Sequence, residues 1–202
     1  VTTNRDIMDS ITQAALGASI AGAVAGKTLG RSALLTGALL GTLPDLDVVI
    51  DYGTAVANFT QHRGFSHSLF ILAPLSLLIA WGLWRWKPLI SYQRWLALVG
   101  LILLTHPLLD AFTTYGTQLF WPIGRPVAIN SIFIIDPLYT LPLLAGCLAF
   151  LYRPPASRTV AAGLLLSSLY LGWTLVAQQI ITERVRPALA NAGMEQAALM
   201  VQ

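Results

Sequence analysis

The chain has 202 residues, 55% hydrophobic and 10% charged, with a net charge of +3 and a mean hydropathy of +0.67. Soluble domains carry about a quarter charged residues, so this composition excludes an ordinary soluble enzyme and points to an integral membrane protein. The Lys and Arg residues are dispersed in ones and twos, which argues against nucleic acid as a partner, and the single cysteine, Cys147, excludes an intrachain disulfide.

Six apolar segments are predicted, at roughly residues 10–26, 32–50, 68–84, 95–111, 131–152 and 159–181, lengths that approach or meet the roughly 17–25 residues a membrane helix needs. The first, "ITQAALGASIAGAVAG", is rich in Ala and Gly and lacks the leucine-rich centre of a secretory signal. It reads as a retained helix packed closely through its small residues, with a cleaved leader as the alternative. The second contains "GTLPDLDVVI", with Asp45 and Asp47 at i, i+2 after Pro44. On a helix two such carboxylates point apart; in an unwound turn they can bind one ion or two neighbouring ions, and turn chemistry is the plainer role.

Before the third segment stands "HRGFSHS", where His62 and His67 flank Arg63 and Gly64. A turn at Gly64 would let the two imidazoles converge, with Ser66 or Ser68 capping the span that follows. The alternative is an interfacial loop with Arg63 reaching for headgroups. The fourth ends in "THPLLD", which puts His106 and Asp110 at i, i+4 on one helical face. Pro107 would suit the first turn of such a helix, and a plain hydrogen-bonded pair remains the alternative. Asp136 precedes Pro137 at the start of the fifth segment, and Asp9 opens the first; each suits a helix cap as well as a ligand. With no long linker and no repeat, a single domain over residues 1–202 is expected, with a motif-bearing core at 8–181 and a polar tail at 182–202.

Six spans place Lys27, Arg31, Arg85, Lys87, Arg94, Arg153 and Arg158 in three connectors on one side of the membrane. The positive-inside rule makes that side cytoplasmic. Asp9, Asp45, Asp47, His62, His67, His106, Asp110 and Asp136 then gather at the opposite, extracytoplasmic face. Ionisable groups in or beside a bilayer are costly and face a cavity, a partner or a pathway. Imidazoles and carboxylates without thiolates suit zinc, manganese or iron(II). The expected fold is therefore all-α and polytopic, with about six transmembrane or partly re-entrant helices and a polar His/Asp site at one face.

A divalent ion lowers the pKa of its water to about 7 and polarises the bond under attack. Hydrolysis follows as the expected chemistry, with a carboxylate outside the coordination shell as general base. Arg63 and Arg125 present guanidinium forks suited to a phosphate, and a membrane-edge site would meet the phosphoester of a lipid or lipid-linked substrate.

The blocks "MDSITQAALGAS" (8–19), "GTLPDLDVV" (41–49), "HRGFSHS" (62–68), "THPLLDAFTTYGTQLFWP" (105–122) and "IIDPLYTLPLL" (134–144) resemble the YdjM family. Its members are described as LexA-regulated inner-membrane proteins, hence tied to the SOS response, and as predicted metal-dependent hydrolases with a distant likeness to zinc-dependent phospholipase C. The resemblance implies an inner-membrane location and points to Asp45, Asp47, His62, His67, His106 and Asp110 as ligands or catalytic groups. Some branches of the family have His where this chain has Gln13, a poor ligand, and the Thr113, Tyr115 and Gly116 block belongs to the same motif. The resulting assignment makes Asp47, His62, His67, His106 and Asp110 the ligands of a divalent ion, zinc foremost, with Asp45, Arg63 and Arg125 as the catalytic groups. A transporter with a His/Asp relay and a non-catalytic protein stapled by metal are the competing classes. A relay needs ionisable groups at several depths, whereas these bunch at one face.

Overall fold

The computed structural model describes residues 4–51, 53–54, 63–154 and 157–191, with side chains between residues 10 and 187. Six helices make up most of it: α1 (Asn4–Leu29), α2 (Arg31–Gly41), α3 (Leu69–Trp86), α4 (Tyr92–Phe112), α5 (Pro137–Tyr152) and α6 (Ser157–Asn191). Two short 3-10 turns, Pro44–Val49 and Phe65–His67, interrupt the run. No strand forms among the described residues; two isolated bridges, Thr113 to Ile132 and Thr117 to Val127, pin the segment between α4 and α5.

Three helices are long and apolar enough to cross a membrane: Leu69–Trp86, Tyr92–Phe112 and Ser157–Pro187. The helix Pro137–Tyr152 is a shorter apolar one. Their outward faces carry exposed Phe70, Leu78, Trp81, Leu165, Leu169 and Trp173, the surface a bilayer would cover. Helix α1 is different. Its middle is almost wholly buried, and it packs against α2, α4, α5 and α6 as the centre of the bundle. Leu16 and Ile20 join Leu98, Ile102 and Leu143 in the apolar core.

The second expected span, 32–50, departs from a full crossing. Its helix stops at Gly41 after 11 residues, about 16 Å, half of a hydrocarbon core about 30 Å thick. Thr42 closes the helix, and Pro44 starts a 3-10 turn carrying "PDLDVV". The α1–α2 pair is thus a hairpin of one long and one short helix. Gly30, at φ 59°, makes its reversal, in a conformation glycine adopts without strain. Small residues let the two helices touch along their backbones: a Cβ on Gly17 would strike the Gly37 carbonyl oxygen, and one on Gly37 would strike that of Gly17. Pro107 also departs from expectation. It lies inside α4 rather than at a first turn, where it frees a carbonyl one turn back without ending the helix.

The connectors α1–α2, α3–α4 and α5–α6 fall at one end of the bundle, and the two 3-10 turns with segment 113–136 at the other. That segment is sewn over its end by backbone hydrogen bonds from Gln118 to the Arg63 carbonyl (3.1 Å), Leu69 to Leu119 (2.9 Å) and Ile129 to Ala111 (2.7 Å). Gly37→Ala is expected to destabilise the protein by about 1–3 kcal/mol through overpacking. Gly82→Ala, where a Cβ meets nothing, should stay within about 0.5 kcal/mol. Thermal unfolding of the two variants in detergent checks the difference.

A candidate metal centre

Asp45, His67, His106 and Asp110 converge at the end of the bundle, and one donor atom from each lies within 4.8 Å of all the others. Three separate pieces of the chain meet here: the 44–49 turn, the 65–67 turn, and helix α4, which supplies two donors one turn apart. His106 Nε2 stands 3.1 Å from His67 Nε2, 3.2 Å from Asp45 Oδ1 and 3.5 Å from Asp110 Oδ2. His67 Nε2 lies 3.2 Å from Asp110 Oδ2 and 3.5 Å from Asp45 Oδ1.

The outer hydrogen bonds fix the tautomers of both rings. His106 Nδ1 donates to the Gly41 carbonyl at 2.7 Å, and a carbonyl only accepts. Ser66 gives its hydroxyl proton to Asp47 Oδ2 (2.7 Å), so it accepts from His67 Nδ1 (2.8 Å). In their neutral form both rings then turn unprotonated Nε2 atoms toward each other and toward two carboxylate oxygens. Three carboxylates (Asp45, Asp47, Asp110) and one guanidinium (Arg63) leave this buried group two negative charges in surplus, which a divalent cation balances.

The spacing fits such an ion. Bonds of about 2.0–2.1 Å from a tetrahedral zinc to nitrogen and oxygen put its ligand atoms about 3.3 Å apart, the middle of the separations above. Asp45 Oδ2, buried without a hydrogen-bond partner among the described residues, also fits a carboxylate aimed at a cation rather than at a protein donor.

The turn "PDLD" divides its two carboxylates. Asp45 faces the rings and enters the donor set. Asp47 stands behind it, accepting from the Arg63 backbone N–H (3.0 Å) and the Ser66 hydroxyl, with its Oδ2 4.0 Å from His67 Nδ1. Arg63 is buried rather than snorkelling. Its backbone sits at φ 59°, a strained conformation for a non-glycine that aims its N–H at Asp47. Its guanidinium lies 3.6 Å from Asp110 Oδ1 and 4.9 Å over the Tyr115 ring. Arg125 is exposed in the 113–136 segment, and no polar contact among the described residues ties it to the cluster. His62 lies outside the described residues, as does the side chain of Asp9.

Asp136 caps α5, accepting from Leu138 N (2.9 Å) and Tyr139 N (3.3 Å), and takes a further bond from the Tyr170 hydroxyl (2.8 Å). Gln13 is the residue whose role the sequence leaves open. Its Nε2 donates to Asp110 Oδ1 (2.9 Å) and to the His106 carbonyl (3.1 Å), so it braces the centre from α1. A lone amide in the Ala/Gly-rich run of α1 is the signal that marks it. Thr113 bonds the Asp110 carbonyl at 2.7 Å, and Gly116, at φ 71°, passes close to Val127 and Ala128, so this block holds the end of α4 against the covering segment.

A helical membrane bundle enclosing a buried His/Asp cluster able to hold a metal ion is the class that fold and site define. The family model described as YdjM inner membrane protein matches residues 8–181, and the chain belongs to that family. The inner membrane protein YbcI of Escherichia coli (strain K12) is 37% identical over 112 residues, covering 55% of this chain and 64% of YbcI. The uncharacterized protein YfhP of Bacillus subtilis (strain 168) is 29% identical over 104 residues, covering 51% of this chain and 32% of YfhP. The chain thus spans less than two thirds of either relative. No solved structure matches it significantly.

Outer partners that orient metal ligands typically contribute about 10–100-fold in affinity. Asp47→Ala, which removes the acceptor behind Ser66 and His67, is expected to weaken zinc binding by about that factor without abolishing it. Competition with a chromophoric chelator on the purified protein measures this; unchanged affinity would show that Asp47 orients no ligand.

Proposed function

We propose that the protein is a membrane-bound metal-dependent hydrolase, acting on a phosphoester of a lipid or lipid-linked substrate from the extracytoplasmic side. The observation that carries this reading is the convergence of four donor atoms, all within 4.8 Å of one another, in a buried, negatively charged cluster. A divalent ion held by Asp45, His67, His106 and Asp110 would polarise a phosphoryl oxygen and lower the pKa of a water molecule.

The remaining groups supply position and charge. Arg63, buried beside Asp110, puts a fixed guanidinium where negative charge on a phosphoryl group would build up. Arg125, exposed at the same end of the bundle, would meet a headgroup phosphate from outside. Next to Asp45 the turn exposes Leu46, Val48, Val49 and Ile50. An apolar rim beside a polar centre suits a substrate whose acyl or isoprenoid portion stays in the lipid while its headgroup reaches the site. The basic connectors lie at the opposite end, which supports an extracytoplasmic site by the positive-inside rule.

A non-catalytic structural ion is the second reading. The protein supplies four donors, enough to fill a tetrahedral shell, and structural zinc sites are closed in this way. Hydrolysis of a broad panel of lipid phosphoesters in mixed micelles separates the two. Chelation should abolish activity and zinc should restore it. His106→Ala should lower the rate by at least about a hundredfold, since the metal's contribution is several kcal/mol. Metal-loaded wild-type protein that turns over nothing in the panel would favour the structural reading.

A further inference from the structure

We infer that Asp45 is the displaceable member of the donor set, so that the centre alternates between a closed arrangement of four protein donors and an open one held by His67, His106 and Asp110. The inference rests on the metal-dependent reading above and gives a site with four protein donors a way to accept substrate.

The four donors are anchored unequally. His106 is held by the Gly41 carbonyl through Nδ1 at 2.7 Å. His67 is held by Ser66, which is itself bonded to Asp47. Asp110 presents Oδ2 to the centre while its Oδ1 receives Gln13 Nε2 at 2.9 Å and faces Arg63 at 3.6 Å. To leave the donor set, each of these would have to break a second, buried interaction. Asp45 has no such anchor: its Oδ2 finds no hydrogen-bond partner among the described residues. A buried polar atom without a partner is a cost that movement toward water or a substrate group removes.

Exposure and backbone agree with this. The side chain of Asp45 is 14% exposed, against 0–1% for His67, His106 and Asp110. Asp45 also rides on a six-residue 3-10 turn, whose hydrogen-bond geometry is poorer than that of an α-helix. His106 and Asp110, by contrast, sit on a helix of 21 residues. Turned outward, Asp45 leaves two imidazoles and one carboxylate in place, the three-ligand pattern of zinc centres that keep a position for water or substrate. It also stays at the mouth of the site as a carboxylate able to accept a proton.

Cobalt(II), a spectroscopic stand-in for zinc, tests the assignment in detergent-purified protein with azide as the exogenous donor. Wild type should take up cobalt, and Asp45→Ala should keep it with affinity reduced by no more than about tenfold, whereas His106→Ala and Asp110→Ala should lose more than about a hundredfold. Azide should shift the visible spectrum of the wild type by displacing Asp45. In Asp45→Ala it should bind at about tenfold lower concentration, because no carboxylate competes for the position. Loss of cobalt from Asp45→Ala as complete as from His106→Ala, or a wild-type spectrum that saturating azide leaves unchanged, would overturn the inference while leaving the metal centre standing. Wild type that takes up no cobalt would overturn both. Should Asp45→Ala fail to fold, the azide titration of the wild type decides alone.

Discussion

The structure turns on a repulsion. Four lone pairs, from two imidazoles and two carboxylates, converge on one point inside a bundle whose outer surface is apolar. In a medium of low effective dielectric such a convergence is strongly unfavourable, and a positive charge at its centre converts it into an attraction of comparable size. The surroundings hold the donors in that posture: Gln13 from the central helix, the Gly41 carbonyl from the end of α2, and the Asp47–Ser66 pair from the two turns. Each sets the direction of one ligand through the atom pointing away from the centre.

The bilayer explains why these parts come from chain ends and turns. Backbone that leaves a regular helix at membrane depth is tolerated where protein or a wet cavity covers it. The 65–67 turn meets that condition by lying against α3 and the covering segment, where Leu69 and Gln118 donate backbone hydrogen bonds across the joint, and the 44–49 turn packs its Asp47 side against the 65–67 turn. The irregular backbone is therefore also the part that carries polar side chains to the centre.

Much of this was legible in the residues, for identifiable reasons. Long apolar runs reveal membrane helices because the bilayer sets their length. His106 and Asp110 announced a shared face because i, i+4 is a helical period. The alternation of basic connectors with His/Asp motifs separated the two ends of the bundle. Hydropathy did not reveal that α2 ends after 11 residues, since "SALLTGALL" reads like the start of a full span. The division of labour in "PDLD" was also hidden. The turn alone makes its two carboxylates diverge, and which one meets the imidazoles depends on where Ser66 and Arg63 lie in space. The Gly41 carbonyl carries no sequence signal, because every residue has one.

That carbonyl gives the small-residue seam a second meaning. Gly41 belongs to the row with which α2 presses on α1; a Cβ there would collide with the backbone of Gln13, the residue that braces Asp110. The same glycine orients His106 through its oxygen. The gap between the two helices and the distance between two ligands are therefore one mechanical quantity. A methyl group added to a featureless stretch of small residues would be felt in the geometry of the His/Asp cluster, so Gly41 belongs to that cluster despite having no side chain to contribute.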